Sequence, residues 1–511
     1  MAADAIAATP PGTFAPGAKA SRADWLAVMA GILGAFMAAL DISVTNSSLP
    51  QIQGEIGATG TEGSWISTGY LAAEIIMIPL TAWLVRVLGM RTLLLLAVGC
   101  FTLFSVGCGC SSTLNELILC RVGQGFTGGA LIPTAMTIVN MRLPPAQKPF
   151  GFALFGGTAV LAPVFGPLVG GWLTETFTWH YIFFLNLPVG AALLTLLLLG
   201  LPHQKSHLSE FGRADFVGIA GLALGLGGLT IVLEEGQREQ WFESRMVIAV
   251  TLVAVIGAVL TAISQATSAK PVVKLRLILN RAFGGSFVVS LVVGAALYSV
   301  PFIIPVFLGG IHGYTAQETG RVVMISGVPI LIFLPMMSFL VRKVDLRWLA
   351  ALGLMFMALS CLINTGMTVD TGAPQLLIPQ LLRGLGQALV MSPLSQSATA
   401  SVQPHEASDA TGLYSMARNL GGSLGLAGAG SLIDSRTAFH VQQLGQSITA
   451  NSLIGQDYLV QQGVQRLSQT IQTQALVMAY ADCFFVLGVA LIAVLPLVLI
   501  LRPLTPTRGR A

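Results

Sequence analysis

Apolar segments long enough to cross a bilayer recur along the whole chain, and they limit its possible folds more than any other feature. A helix needs about 20 mainly apolar residues to span the hydrocarbon core of a membrane. Hydrophobic residues make up 54% of the 511 residues and charged residues only 9%, so a soluble globule of this size would lack polar surface. The sequence therefore predicts an all-α integral membrane protein.

Fourteen transmembrane helices are predicted. They lie near residues 25–46, 64–85, 91–111, 116–140, 150–172, 180–201, 214–234, 246–266, 284–309, 318–341, 346–367, 376–400, 408–432 and 481–501. The seventh and eighth spans separate six spans before them from six after them. We therefore expect a six plus two plus six arrangement.

This arrangement defines the expected domains. Residues 24–202 should form an N-terminal six-helix bundle, residues 203–280 a linker with two additional transmembrane helices, and residues 281–502 a C-terminal six-helix bundle. Residues 1–23 are rich in Ala, Pro and Gly and have no apolar core, so they are predicted to be a disordered cytoplasmic tail and not a signal peptide. Residues 503–511 form a second predicted cytoplasmic tail.

Lys and Arg residues are concentrated on one side of the predicted membrane. Of the 26, only five lie on the other side, namely Arg238, Arg245, Arg321, Arg436 and Arg466. The positive-inside rule then places both chain ends in the cytoplasm. The net charge of +4 reflects this topology and does not indicate a nucleic-acid partner.

The sequence lacks patterns for metal, nucleotide or covalent chemistry. Its six cysteines lie in or at the edges of apolar spans without the spacing of a metal site, although Cys108 or Cys110 could approach Cys120. It has no Gly-x-x-x-x-Gly-Lys-Ser/Thr loop, so ATP-driven export is not expected. We expect no metal, no cofactor and no enzymatic activity.

Two arginines lie in matching positions of the two halves. RVGQG beginning at Arg121 in the fourth span is echoed by RGLGQA beginning at Arg383 in the twelfth. In each block a glutamine, Gln124 or Gln387, shares the helix face of the Arg. Burying an unpaired Arg costs about 2.5–3.5 kcal/mol, so these residues should face a polar cavity between repeated halves. A helix-packing contact with a neighbouring carbonyl is the alternative.

Two carboxyl groups lie within predicted spans. Asp41 shares a helix face with Thr45, and Glu74 lies in the middle of the second span. Carboxyl groups in such surroundings are candidates for binding and releasing protons. A permanent pair of Asp41 with an Arg, and a neutral, hydrogen-bonded Glu74, remain open as alternatives.

The fifth span combines small residues with prolines. Pro163, Gly166, Pro167, Gly170 and Gly171 leave one helix face nearly bare and allow a bend. A bendable helix next to an Arg-bearing one is typical of a gate, although simple packing explains much of the pattern.

The segment 433–479, between the last two spans, is long, polar and rich in Gln and Ser. Its stretch 454–476 has the pattern of an amphipathic helix, with a solvated loop as the alternative.

Four motifs carry a family resemblance. They are LDISVTN with LPQI over 40–52, RVGQG at 121–125, GPLVGG at 166–171 and WHYIFFLNLPVG at 179–190. In this order they resemble the fourteen-span drug:proton antiporters of the major facilitator superfamily, of the EmrB/QacA type. YLAAE at 70–74 and LYSMARNLGGS at 413–423 are especially similar to the EmrB branch.

The resemblance implies a proton-coupled multidrug efflux antiporter of the bacterial inner membrane that works by alternating access. Asp41, Glu74 and Arg121 would couple protons, and the proline and glycine motif of the fifth span would bend. The substrate cavity would include Thr45, Gln124, Tyr298, Arg383, Gln387, Met391, Arg418 and Asn419. Partners would be hydrophobic or amphipathic drugs, a periplasmic membrane-fusion adaptor and an outer-membrane channel. A dedicated exporter of one metabolite or siderophore, and a non-transporting receptor or scaffold, are the alternatives.

The chain also departs from the superfamily pattern. The loop between the second and third spans keeps Arg86, Gly89 and Arg91 but lacks the usual carboxylate. The resemblance therefore leaves the usual inner-gate charge network unsupported. Gly309 stands where the family often has Gln.

Overall fold

The computed structural model describes residues 19–204, 211, 214–268, 270–447 and 463–501. Over these residues the protein consists of helices and their connections, with no β-strand. The predicted tail 503–511 and most of the predicted tail 1–23 lie outside the described residues. The prediction of an all-α protein is confirmed.

The N-terminal half comprises eight helices. They are α1 (Arg22–Ile56), α2 (Gly60–Leu88), α3 (Met90–Cys110), α4 (Leu114–Gly128), α5 (Leu131–Arg142), α6 (Lys148–Thr176), α7 (His180–Phe184) and α8 (Asn186–Gly200). α4 and α5 together cover the fourth predicted span, because Gly129 and Ala130 keep right-handed helical dihedral angles between them. Leu185 joins α7 to α8 in the same way.

Ten further α-helices lie in the described residues after position 204. They are α9 (Phe216–Glu235), α10 (Arg245–Thr267), α11 (Arg281–His312), α12 (Ala316–Met324), α13 (Gly327–Lys343), α14 (Leu346–Asn364), α15 (Ala373–Ala400), α16 (Ala407–Ser447), α17 (Gly463–Ala493) and α18 (Leu495–Val498). Short 3-10 helices lie at Trp241–Glu243, Leu275–Leu279 and Pro404–Glu406.

Eleven helical segments of the described residues are long and apolar enough to cross a membrane. Three of the fourteen predicted spans are not among them. One is the pair α4 and α5, which is interrupted at Gly129. The others are α15 and α16, whose buried polar side chains, such as Gln380 of α15 and Arg418 of α16, lower their mean hydropathy. The count of fourteen therefore stays a prediction.

Local sequence signals set where several helices begin. At four of them a Ser or Thr accepts a hydrogen bond from the backbone three residues on, and an acid there accepts one in return. These capping boxes are Ser21 with Asp24, Thr59 with Glu62, Thr113 with Glu116 and Thr315 with Glu318.

Each half packs around its own polar helices. α1 lies against α5, α6 and α8, and α4 lies between α2 and α3. In the other half α16 packs on α11 and α17, and α15 packs on α13 and α14. Gly125 permits the closest approach of α4 to α2, because a Cβ there would lie 2.9 Å from Tyr70 Cα. Packing at this distance is possible only for glycine.

The two halves meet along α2, α5 and α6 on one side and α12, α13, α15 and α16 on the other. The additional helix α9 lies beside this seam, against both α2 and α16, and α10 packs mainly on α9. The additional helices α9 and α10 therefore flank the seam and do not pass through the core. The expected domain boundaries remain predictions.

The helices α16 and α17 extend well past the predicted membrane. α16 has 41 residues and is therefore about 60 Å long at 1.5 Å per residue, about twice the hydrocarbon thickness. The predicted spans 408–432 and 481–501 cover only part of these helices. In the segment 433–479, residues up to 447 and from 463 onward are helical. Residues 448–462, which include the first nine residues of the predicted amphipathic helix 454–476, lie outside the described residues.

Candidate functional site

Asp41 and Arg121 form a buried ion pair inside the N-terminal half. Arg121 Nη1 lies 2.5 Å from Asp41 Oδ2, and both side chains are 1% exposed. Gln124 Nε2 donates to Asp41 Oδ1 at 3.2 Å, and Asn186 Nδ2 donates to the same oxygen at 2.7 Å. The carboxylate thus has three donors, two from α4 and one from α8.

The guanidinium group of Arg121 also has several partners. Its Nε donates to the carbonyl of Ile66 at 3.2 Å, and its Nη1 donates to Gln124 Oε1 at 2.9 Å. Its centre lies 4.2 Å from the ring centroid of Tyr70, which adds a cation–π contact. Arg121 and Gln124, which were expected to share a helix face, are also hydrogen-bonded to each other, and Arg121 forms the ion pair with Asp41 that the sequence left open as an alternative.

Two partners of this network were not singled out from the sequence. Asn186 lies in the WHYIFFLNLPVG block, and Ser105 accepts hydrogen bonds from both Gln124 and Asn186 at 3.0 and 2.9 Å. An isolated polar residue in an apolar run, as at each position, is the one signal that could have identified them.

Glu74 lies at the seam, on the side of α2 that faces the C-terminal half. The residue is 1% exposed, and its Oε1 atom has no hydrogen-bond partner. Glu74 lines a small cavity together with Tyr298, Asn419 and the additional-helix residue Glu234. A buried carboxyl group with a free oxygen can accept or lose a proton without breaking an existing bond to that oxygen.

Arg383 occupies the equivalent place in the C-terminal half with different partners. It is 4% exposed. Its Nε donates to Gln380 Oε1 at 2.8 Å and its Nη2 to Ser326 Oγ at 2.8 Å. Gln387, which was expected to share a helix face with Arg383, makes no hydrogen bond to it, and Gln380, three residues before Arg383, is its glutamine partner. Among the described residues Arg383 has no ion pair.

Gln387 instead lines a separate cavity between α6, α13 and α15. Met391, Gly156 and Ile330 also line it. Both polar atoms of the Gln387 side chain are buried without a partner. The residues that were predicted to line one substrate cavity therefore lie at several separate sites. Gln387 and Met391 line one of these sites.

Three further predicted cavity residues have unpaired polar atoms. They are Thr45 through Oγ1, Arg418 through Nε and Nη1, and Asn419 through Oδ1. Arg418 is 3% exposed and follows Tyr414 by one turn on α16. Unpaired buried polar atoms are costly, and of these three residues Asn419 lines the cavity of Glu74.

The proline and glycine motif places α6 close against α1. Pro167 has no N–H, so the carbonyl of Pro163 lacks its helical donor, and Ser43 Oγ of α1 donates to it at 3.4 Å. A Cβ at Gly166 would lie 2.9 Å from the Ser43 backbone, and Gly170 is similarly close to Val44. Nothing lies within 4 Å of a Cβ at Gly171.

A charge network links the halves on the predicted cytoplasmic side. Arg86 Nη1 lies 3.0 Å from Asp409 Oδ1 on α16. Lys274 contacts Glu406 at 3.1 Å and Asp409 at 3.7 Å. The carboxylate missing from the loop after α2 is therefore replaced by acids of the other half, which the local motif did not reveal.

The pKa of Glu406 shows how this network is balanced. Partial burial opposes ionisation of the carboxyl group, but the hydrogen bond and charge of Lys274 outweigh it and lower the pKa below its usual value of 4.5. The carboxylate is thus ionised at neutral pH, and its ion pair is lost only as the pH falls below that value.

All six cysteines of the chain are free.

Known proteins are similar to this chain over most of its length. A family model described as Major Facilitator Superfamily matches residues 31–426. The "Colistin resistance protein EmrB" of Acinetobacter baumannii is 32% identical over 467 residues, which cover 91% of this chain and 91% of that protein. The "Multidrug export protein EmrB" of Escherichia coli (strain K12) is 30% identical over 485 residues, which cover 92% and 94%.

Solved transporter structures share the fold. The human organic anion transporter MFSD10 aligns with a TM-score of 0.60 at 15% identity, over 92% of this chain and 99% of that one. The proton:xylose symporter XylE aligns with a TM-score of 0.57 at 13% identity, over 91% and 94%. At these identities the likeness concerns the fold alone.

Proposed function

Because this chain belongs to the major facilitator superfamily, in the branch of the EmrB proteins, we propose that it is a proton-coupled multidrug efflux antiporter of a bacterial inner membrane. It is a multi-pass membrane protein with the family and fold of a transporter. The proton gradient would supply the driving force without a cofactor. The substrates would be hydrophobic or amphipathic compounds.

The surroundings of Glu74 are the main support for proton coupling. Its carboxyl group is buried at the seam and one of its oxygens has no partner. Asn419 of the other half, which directly follows Arg418 on α16, lines the same cavity as Glu74. A proton on Glu74 cancels a charge between the halves, so it changes the free energy of their contact.

Asp41 would exchange protons in a different way. Its carboxylate is engaged by Arg121, Gln124 and Asn186, so protonation requires this network to rearrange. We propose that Arg121 moves away from Asp41 when the N-terminal half changes conformation. Arg121 would then tune the proton affinity of Asp41, as the resemblance implies.

Alternating access would arise from rocking of the two halves. The cytoplasmic charge network of Arg86, Lys274, Glu406 and Asp409 would close the inner side and open when substrate enters. The prolines of α6 would let that helix bend, with Ser43 exchanging its contact to Pro163 during the motion.

The extended ends of α16 and α17 would contact a periplasmic adaptor. Residues 433–447 and 463–479 are helical and belong to no predicted span. Helices of this kind offer a surface on which a helical adaptor can pack. The adaptor would lead to an outer-membrane channel, so that exported drug leaves the cell envelope.

The test is substrate-driven proton movement in vesicles that contain the purified protein. A panel of amphipathic and hydrophobic compounds is added to vesicles with an internal pH dye. Antiport predicts proton efflux on addition of several unrelated compounds, and uptake of those compounds when a pH gradient is imposed.

Two other outcomes have defined meanings. Proton movement with one compound only would indicate a dedicated exporter. Binding of compounds without any proton or compound flux would contradict the proposed function and indicate a receptor or scaffold. Vesicles with the Glu74→Gln variant provide the control for proton leak.

A further inference from the structure

The additional helix α9 ends with two adjacent carboxyl groups that contact different halves. Glu235 is 2% exposed and accepts hydrogen bonds from Ser64, at 2.9 Å, and from Thr68, both on α2. Glu234 accepts a hydrogen bond from Ser423 on α16 at 2.8 Å. Adjacent side chains on a helix point about 100° apart, so the pair straddles the seam.

Glu234 also faces the cavity that Glu74 lines. α2, α9, α11 and α16 enclose this cavity, whose volume of about 30 Å³ is enough for one or two water molecules. Glu74 Oε1 and Asn419 Oδ1, both buried, have no hydrogen-bond partner. A water molecule in the cavity would satisfy these atoms and connect the carboxyl groups of Glu74 and Glu234.

We propose that Glu234 is a further proton-binding residue, which exchanges a proton with Glu74 through this cavity. An O–H bond of one carboxyl group breaks as an O–H bond of the other forms, with water as the carrier. The inference rests on the proposed proton coupling and extends it to the additional helix, which the six-helix halves do not include.

Proton binding at Glu234 has a mechanical consequence. A hydrogen bond to a carboxylate is about twice as strong as one between neutral groups, so protonation weakens the contact with Ser423. Glu235 still holds α9 to α2 through its two hydroxyl donors, Ser64 and Thr68, and Arg238, three residues later in the chain, lies 3.5 Å from its carboxylate. α9 then moves with the N-terminal half when the halves separate.

The charged and titratable groups around Glu234 come from every neighbouring helix. They are Glu74 on α2, Tyr298 on α11 and Arg418 on α16, and, next to it along the chain, Glu235 and Arg238. The helix α10 contributes only Arg245, at its first residue. The basic group nearest in sequence to Glu234 is thus Arg238, whereas Arg418 lies on the Glu74 side of the cavity.

Infrared difference spectroscopy of the purified protein in nanodiscs tests this proposal without a substrate. The C=O stretching band of protonated carboxyl groups is followed through a pH titration. We expect Glu74→Gln and Glu234→Gln each to remove one titrating component. Glu235→Gln is the matched control, because it deletes the adjacent buried acid that faces away, and it should leave both components. Ser423→Ala should also keep both.

An unchanged titration in Glu234→Gln would overturn the proposal, as would an equal loss in Glu235→Gln. If Glu234→Gln is too unstable to purify, a shifted titration midpoint in Ser423→Ala supports the proposal and an unshifted midpoint opposes it. In vesicles, wild-type protein whose two components titrate but which moves no protons with any compound would contradict the proposed function and leave the Glu234 site in place.

Discussion

Glu74 and Asp41 are both buried acids, but only Glu74 has an oxygen without a partner. Replacing it by Gln keeps the shape and removes the proton site. Proton and substrate affinities are linked by a coupling free energy that typically corresponds to about 5–150-fold. We expect wild-type affinity for a fluorescent transported compound to fall by such a factor from high to low pH, and Glu74→Gln to abolish this dependence.

Titrations of binding at several pH values measure this effect. Glu55→Gln, which changes an exposed acid at the end of α1, is the control and should retain the wild-type pH profile. A Glu74→Gln variant with the full wild-type pH dependence would show that protons are coupled elsewhere.

Arg121 is predicted to matter for both stability and transport. Removing one partner of a buried ion pair typically costs about 3–5 kcal/mol, so Arg121→Ala should lower the unfolding temperature and abolish transport. Arg121→Lys keeps the charge without the planar fork and should retain part of the activity. Arg142→Ala is the control, because its pair with Asp24 at 3.3 Å is partly exposed and should contribute about 0–1 kcal/mol.

Asp41→Asn should stop coupled transport while the protein still reaches the membrane. The Asn side chain can keep some hydrogen bonds but leaves the Arg121 charge without its counter-ion. Wild-type antiport rates in vesicles containing Asp41→Asn would contradict a coupling role of this carboxyl group, as would normal transport with an unchanged pH optimum in Arg121→Ala.

Single residues could be identified from the sequence where a charge interrupts an apolar run. Asp41, Glu74, Arg121 and Arg383 were found in this way. Their partners were not, because a contact such as Asn186 with Asp41 joins residues 145 positions apart and depends on how helices pack. For the same reason the sequence did not indicate that Arg121 bonds to the glutamine after it, Gln124, whereas Arg383 bonds to the one before it, Gln380.

Among the elements, α6 offers a test with a built-in control. Gly166→Ala would place a Cβ 2.9 Å from the Ser43 backbone, whereas Gly171→Ala meets nothing within 4 Å. Overpacking a tight contact typically costs about 1–3 kcal/mol, so Gly166→Ala should lower the unfolding temperature and slow transport. Gly171→Ala should change neither, although both residues belong to one motif. Equal effects of the two substitutions would show that the motif does not act through packing on α1.

Helices as elements were predictable where apolar length was the only requirement, as for α3 and α10. The sequence did not indicate the interruption at Gly129 or the one between α12 and α13, because the flanking residues suit a continuous helix. The lengths of α16 and α17 were also underestimated. The outer parts of both helices are polar. The two helices contact each other, for example through Arg436 and Asp482 at 2.5 Å, and these contacts stabilise the helical conformation.

At the scale of the whole molecule, the cytoplasmic charge network should control the contact of the halves. Arg86→Asp and Asp409→Arg should each impair transport, and the double variant should recover part of it by restoring the pair with reversed charges. Transport in vesicles would measure this recovery. The accessibility of a cysteine introduced on the cytoplasmic side would report the contact of the two halves. Failure of the double variant to exceed either single variant would argue against a direct gate contact.

The pH dependence of transport should not come from this network. Since the pKa of Glu406 is lowered, the carboxylate is ionised above pH 4.5 and its ion pair persists through the neutral range. Glu406→Gln should therefore change the rate of transport but not the position of its pH optimum. A displaced optimum would show that the gate itself is titrated.

The extended ends of α16 and α17 should matter in cells more than in vesicles. Shortening the segment between residues 444 and 470 removes the outer part but keeps Arg436, His440 and Asp482, whose contacts tie the helices together. We expect vesicle antiport to continue, and drug resistance in cells and adaptor pull-down to be lost. Unchanged resistance with undiminished pull-down would refute docking, and loss of vesicle antiport would show that the segment serves the transport fold.

The unequal surroundings of the two repeated arginines have an electrical consequence. Arg121 is neutralised by Asp41, whereas Arg383 is held by Gln380 and Ser326, and an Arg side chain does not lose its proton. The described part of the C-terminal half thus carries a positive charge near its centre that the N-terminal half lacks. A charge that crosses the full membrane potential changes energy by about 2.3 kcal/mol per 100 mV. Any rocking that shifts Arg383 through part of that field makes the balance between inward-open and outward-open states sensitive to voltage.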